Sequence, residues 1–290
     1  MKILVTGGAG FIGTNLIKRL LDDGHEVVSW DNYSTGLRSN HIDGATYTTL
    51  DITKLPIKSK TFLTGFDAVY HLAAIARIQP SYDNPINYFK TNTTATMNMA
   101  RMCVEQNIPL IYAGSSSHHA GLYSNPYTFS KSTGEDVLEM FKYNFGLKYA
   151  IARFYNVYGP HQLTEGGYTT LIGRWMNNIE NGLPCEIYGD GDQRRDFTHV
   201  DDIVDALIKI LIKKKYWGNN AFELGRGENV SVNEVATMFG IVPEYKSPKP
   251  GEARNTLCDT TLAEEDLKWH PKLNLSDYIM AWAKSKAVKV

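Results

Sequence analysis

Residues 115–131, SSSHHAGLYSNPYTFSK, gather hydroxyls, a phenol and an amine at spacings that can move a proton. Tyr127 and Lys131 stand four positions apart, one turn of a helix, and residues 128–145 read as helical. A phenol with a pKa of about 10 is a poor base at neutral pH. A lysine ammonium one turn away, and the positive ring of an oxidised nicotinamide, would both favour its phenolate. The same lysine could hold the nicotinamide ribose. A hydroxyl from the cluster Ser115–Ser117 could relay the proton between substrate and phenolate, since it both donates and accepts. Alone, a tyrosine and lysine at this spacing are an ordinary surface pair on a helix; a cofactor beside them gives the pattern its meaning.

The elements before this stretch supply a place for one. Ile3–Val5, Val27–Trp30, Ala68–His71, Leu110–Tyr112 and Tyr149–Ala152 read as buried strands, and Ile12–Leu21, Tyr88–Glu105 and Ser130–Tyr143 as helices. This alternation predicts an α/β fold of Rossmann type, a doubly wound parallel sheet. At its first turn GGAGFIG follows the strand ILVT and opens a helix, with Gly7, Gly10 and Gly13 spaced GxxGxxG. Glycines there allow a sharp turn and a close approach of backbone N–H groups to a pyrophosphate at a helix N-terminus. Asp31 ends the next strand, where a carboxylate can accept both ribose hydroxyls and repel a 2′-phosphate. Asn32 and Tyr33 offer such a phosphate no cation, so the expected cofactor is NAD rather than NADP. Past residue 160 the rhythm becomes irregular: a helix near 170–181, a strand at 186–188, a helix at Asp201–Lys213, a proline-rich region around Pro243–Gly251 and a last helix near 276–286. A smaller second α/β lobe is expected there.

The bulk properties exclude other classes. A formal charge of -1 gives no electrostatic reason to expect nucleic acid or an acidic membrane surface. No apolar run approaches the roughly 20 residues of a membrane span. Cys103, Cys185 and Cys258 lie far apart with no metal-ligand spacing, as expected of free thiols in a reducing, cytoplasmic compartment. The adjacent His118 and His119, read as extended neighbours, would point opposite ways as a solvated pair, so no metal is expected.

The series VTGGAGFIGTNL, DNYSTG, HLAA, YAGSSS, YTFSK, RFYNVYGP, IYGDGDQRRDFTHVDD and KPGEARNTLCD, in this order along the whole chain, resembles the extended short-chain dehydrogenase/reductases. Within them it is most similar to the NAD-dependent epimerase/dehydratase group, of the UDP-glucose 4-epimerase and UDP-N-acetylglucosamine 4-epimerase kind. The resemblance implies an isomerase that inverts C4 of a nucleotide-activated hexose, UDP-Glc/Gal or UDP-GlcNAc/GalNAc, through a 4-keto intermediate. It implies Ser115, Tyr127 and Lys131 as catalytic residues, with Ser116 as second choice for the serine. Phe11 and Ile12 would cover the pyrophosphate, and Asp31, Asn32, Tyr33, Ser34, Thr35 and Gly36 would surround the adenosine ribose and phosphate. Asp51 and Ile52 would hold the adenine, Leu72, Ala73 and Ala74 would line the cofactor, and Asn92 and Tyr155 would support it. Ser115, Ser116, Tyr127, Asn156, Arg195, Lys249, Glu252 and Thr256 match substrate-binding positions; Arg195 could equally form an ion pair with a nearby aspartate. A homodimer through helices 88–105 and 130–143 is also implied, as is a division into a 1–160 NAD-binding domain, completed by parts of 197–227, and a nucleotide-sugar lobe of 161–196 and 228–290.

Two departures qualify the match. Val-Tyr-Gly, common after the family's serines, is replaced by His118, His119 and Ala120, and the loop onward to Tyr127 is short. A 4,6-dehydratase would carry an Asp-Glu pair where this chain has Ser116 and Ser117. A 4-dehydrogenase or 4-ketoreductase would share the triad, and a non-catalytic NAD-sensing protein would have no need of all three residues.

Overall fold

The computed structural model describes residues 1–55, 62–213, 217 and 221–288. Seven parallel strands form its main sheet. Six are Lys2–Thr6 (β1), Glu26–Asp31 (β2), Thr46–Thr49 (β3), Ala68–His71 (β4), Leu110–Ser115 (β5) and Tyr149–Phe154 (β6). A seventh, Ala221–Leu224, lies outside β6, so the spatial order is Ala221–Leu224, β6, β5, β4, β1, β2, β3. The chain winds outward from β1 to β3 and then returns to β4, so strand order reverses between β1 and β4. Ligands of such sheets bind at that reversal, outside the carboxyl ends of the strands.

Both faces of the sheet are covered, which explains the continuous apolar runs. Along β1, Ile3 and Val5 enter one core with Leu16, Ile17 and Leu20 of the Phe11–Asp22 helix (α1) and with the Val200–Ile212 helix. Leu4 enters the opposite core with Met99 and Leu138, from the helices Ala95–Gln106 and Pro126–Phe145. Each fully buried leucine or isoleucine contributes roughly 1.5–3 kcal/mol relative to exposure. A third core around Trp175, Phe239 and Trp282 holds the later elements together. The expected strands and helices are present, one of them changed, and the main sheet gains two strands that the pattern does not mark. They are Ala221–Leu224 and β3, whose TYTT sequence is largely exposed at the sheet edge and shows no apolar run. The change is in the 88–105 helix, which is interrupted by a single π-helical turn at Lys90–Thr94. Within 197–227, residues 214–216 and 218–220 lie outside the described residues.

Candidate active site

At the reversal point the first turn is built by close packing. A Cβ on Gly13 would lie 2.3 Å from the Gly7 carbonyl oxygen, and Gly7 itself takes φ +73, a conformation that favours glycine. Gly10 caps α1 with no side-chain bond, so the free N–H groups of the helix's first turn face a cavity of about 500 Å³. Nothing but the Gly7 carbonyl, at 3.2 Å, stands near the position of a Gly10 Cβ. A pyrophosphate fits such a bare helix end, which supplies N–H donors and a positive dipole. The buried Asp31 carboxylate accepts the Ala9 N–H at 2.9 Å and the Tyr33 N–H at 2.7 Å, one on each oxygen. Each oxygen keeps a lone pair for a ribose hydroxyl. The residues present therefore fit a dinucleotide.

Gly7, Gly10, Phe11, Ile12, Gly13, Asp31, Asn32, Ser34, Thr35, Asp51, Ile52, Leu72, Ala73 and Ala74 all lie in the wall of this one cavity. So do Ser115, Ser116, Tyr127, Lys131, Asn156, Arg195, Glu252 and Thr256. Five expected residues lie elsewhere. Tyr33 turns its ring onto Arg38, 4.2 Å from the guanidinium, and its hydroxyl to His41. Gly36 leaves space for Asp31, since a Cβ there would lie 2.9 Å from the carboxylate. Asn92 sits behind the wall; its amide accepts from the Ile75 N–H and donates to the Ile75 carbonyl. Tyr155 is buried, and its hydroxyl donates to Glu223 at 2.9 Å, so it contacts that carboxylate and not the cavity. Lys249 lines a second cavity of about 490 Å³, with its ammonium 3.4 Å from the Tyr188 ring centre.

The Pro126–Phe145 helix presents Tyr127 in its first turn. Asn125 caps it by accepting the Thr128 N–H, Pro126 fits its first position, and Gly146 ends it at φ 72. The Tyr127 hydroxyl donates to Ser115 Oγ at 3.0 Å, and Ser117 donates both its hydroxyl (2.9 Å) and its N–H (3.2 Å) to the same oxygen. Burial pushes the Tyr127 phenol above its ordinary value; the Ser115 hydrogen bond and the charge of Arg77 pull it down, and Glu135 pushes it up. Lys131 is buried, donates to the Ala113 carbonyl at 2.5 Å and lies over the Tyr112 ring at 4.1 Å. Burial lowers its ammonium to about 7, partly offset by Glu135.

The two histidines after the serines adopt a short 3-10 turn, Ser116–Ala120, instead of an extended segment. Both stay partly solvated, with side chains 36% and 55% exposed, but each also meets a carboxylate. His118 faces Glu135 at 3.3 Å and His119 faces Glu223 at 2.8 Å, and Arg153 bridges both carboxylates. This network ties the serine loop to β6 and to the Tyr127 helix. Arg195 forms its ion pair with Glu252, at 3.6 Å, and not with an aspartate; the adjacent Asp196 is held by the N–H groups of Arg226, Gly227 and Cys258. Among the described residues no cluster of three metal-ligand side chains occurs. Sequence reasoning named Ser117 only within the serine cluster, without a role of its own, and missed Arg77. The only signal for Arg77 is a cation in an otherwise apolar segment, AIARIQP, just past a strand end.

Comparison with known proteins adds a family to this geometry. The profile of the NAD dependent epimerase/dehydratase family matches residues 3–225. A UDP-glucose 4-epimerase of Mycolicibacterium smegmatis is 30% identical over 305 residues, covering 96% of each chain. The structure of a Thermotoga maritima UDP-glucose 4-epimerase with UDP-glucose superimposes with a TM-score of 0.90 at 28% identity, over 99% of this chain and 100% of that one. A UDP-glucuronic acid 4-epimerase of Bacillus cereus, in complex with UDP-glucuronic acid and NAD, gives 0.86 at 27% identity over 99% of both chains.

Proposed function

The chain belongs to the NAD dependent epimerase/dehydratase family, and from that premise we propose that it inverts C4 of a UDP-hexose. It is an NAD-dependent enzyme of the nucleotide-sugar epimerase type. The observation that carries the reading is the 3.0 Å hydrogen bond from Tyr127 to Ser115 Oγ, in the same cavity as the bare N-terminus of α1. Bound NAD supplies the hydride acceptor, and then the donor, for C4. With Tyr127 ionised beside the positive nicotinamide ring that NAD would place there, Ser115 Oγ would take the proton of the 4-hydroxyl as its own passes to the Tyr127 oxygen, and the return step would reverse that path. Ser117 fixes the Ser115 hydroxyl; the histidine–carboxylate network fixes the loop that carries both. The UDP diphosphate is assigned to the second cavity, whose wall holds Arg174, Arg195 and Lys249, with Glu252 on the ribose. In this reading residues 1–160 with parts of 197–227 carry the cofactor, and 161–196 with 228–290 carry the nucleotide sugar. The helices 88–105 and 130–143 are assigned to a homodimer contact, and Met97 and Met140 are exposed there.

Thr256 is assigned to the C2 side of the sugar. It lines the cavity, and its hydroxyl accepts from Asn156 Nδ2 at 3.3 Å. A threonine leaves the space an aromatic ring would fill, so UDP-N-acetylglucosamine and UDP-N-acetylgalactosamine should interconvert at least as fast as UDP-glucose and UDP-galactose. Progress curves by proton NMR on both pairs, with wild type and Thr256→Tyr, test this. Selective loss of the N-acetyl pair supports the assignment; equal effects on both pairs refute it.

A further inference from the structure

Arg77 stands where neither NAD nor a neutral hexose calls for a cation. It lines the cavity that holds Ser115 and Tyr127, and it also lines the second, basic cavity. Its Nε donates to the Tyr168 carbonyl at 2.9 Å, which fixes the plane of the guanidinium. No other hydrogen bond or ion pair joins it to the described residues, so the two terminal nitrogens keep their donors free. A fork of parallel N–H donors matches a carboxylate in two-pronged geometry.

The second cavity's wall carries Arg77, Arg174, Arg195, Lys249 and Arg254. Arg254 is paired with Asp190 at 2.6 Å and Arg195 with Glu252 at 3.6 Å, whereas Arg77 has no carboxylate partner among the described residues. Of these cations, Arg77 is the one whose field reaches the Tyr127 phenol. Burial works against its charge, a cost that a bound anion would offset.

We propose that Arg77 selects hexoses carrying a carboxylate on a carbon next to C4, as a hexuronic acid does, and pairs with that carboxylate while Ser115 and Tyr127 act at C4. The inference rests on the C4-epimerase reading and deepens it: the substrate class becomes a nucleotide-activated acidic sugar. It concerns a ring position other than C2, so it is independent of Thr256. A hexose with an acidic ether at O3 would present the same chemistry from the other neighbour of C4.

The test uses the full NAD-loaded chain, wild type, Arg77→Gln and Arg77→Lys, with UDP, UDP-glucose, UDP-glucuronic acid and UDP-N-acetylmuramic acid. Calorimetry reads affinity, and NMR reads inversion at C4. An ion pair between fork and carboxylate predicts that the wild type prefers UDP-glucuronic acid over UDP-glucose, in affinity and in kcat/KM. Arg77→Gln should shrink that ratio by about 10–100-fold and Arg77→Lys by less, with UDP affinity altered by less than about threefold. A preference for the O3-acidic sugar that is lost in Arg77→Gln assigns the carboxylate to the C3 side instead, and overturns the hexuronate. Equal losses for neutral and acidic sugars would make Arg77 a partner of Tyr127 alone, and a matching loss for UDP would make it a diphosphate clamp; either result overturns the proposal. Turnover confined to neutral sugars overturns it and leaves the epimerase standing. If no UDP-sugar turns over, the epimerase reading falls, and the calorimetric preference decides for or against Arg77.

Discussion

Replacing Lys131 by methionine removes the most strongly perturbed cation of the site, and its effect on stability should depend on pH in a defined way. Burial lowers the ammonium from an ordinary 10.5 to about 7. Below pH 7 both folded and unfolded chains hold the proton, and burying the charge costs the fold on the order of 5 kcal/mol. Between pH 7 and 10.5 the unfolded chain binds the proton and the folded chain does not, so the stability contributed at this position rises with pH by up to about 1.4 kcal/mol per unit. Methionine has no such dependence and retains packing over the Tyr112 ring. The Ala113 carbonyl loses a donor at 2.5 Å, a roughly constant penalty of about 1–3 kcal/mol. Lys131→Met should therefore gain most over wild type at pH 6–7, and the difference should narrow or reverse by pH 9. Urea titrations of the NAD-free proteins at pH 6, 7, 8 and 9 measure it, and the subtraction cancels groups common to both. A stability difference that stays constant across this range would refute the buried-ammonium argument. Turnover in Lys131→Met should be lost throughout. An amine buried at such a cost, in the wall of the cavity that holds Ser115 and Tyr127, is one the chemistry uses.

Other sites give sharper or simpler readouts. With Asp31 at the ribose, NAD should bind about 10²-fold more tightly than NADP in calorimetry, because a 2′-phosphate would face a buried carboxylate; equal affinities would remove Asp31 from that role. Tyr127→Phe keeps the ring and removes the proton carrier, so turnover should fall by roughly 10²–10⁴ with UDP affinity almost unchanged, and near-normal turnover would assign the base elsewhere. His71, held between Thr6 and Thr96, is lowered by burial, and further by Lys131, to about 3. Below pH 6.5 the unfolded chain takes up a proton that the folded chain refuses, so wild type should lose stability against His71→Gln by up to about 1.4 kcal/mol per unit as pH falls toward 3; a constant gap in urea titrations from pH 7 to 4 would contradict this.

What the sequence made legible follows from where the side chains lie. β1 reads as a continuous apolar run because Ile3 and Leu4 enter cores on opposite faces of the sheet, and the glycine turn is visible because its backbone contacts tolerate no Cβ. β3 is three threonines and a single tyrosine at an open edge, and periodicity does not mark it. The π turn at Lys90–Thr94 changes hydrogen bonding without changing composition, so the helix reads as unbroken. The histidine network was hidden for a different reason: His119 meets Glu223 across 104 positions, a pairing that only the sheet creates. The family resemblance places Tyr155 at the cofactor, yet its hydroxyl turns from the cavity to Glu223. Arg77 escaped notice because its significance is geometric. An arginine just past a strand end is unremarkable until the fold sets it beside Tyr127.

The central claim, that C4 is oxidised and reduced again within one bound turnover, is tested most directly by isotope retention. UDP-hexose deuterated at C4 is incubated in ordinary water with catalytic enzyme and no added oxidant or reductant, and the 4-epimer is read by NMR and mass spectrometry. The account predicts inversion at C4 with the deuterium retained in the product, because the hydride that leaves C4 returns to C4. A product carrying solvent hydrogen at C4, or conversion that requires an added redox partner, would contradict it.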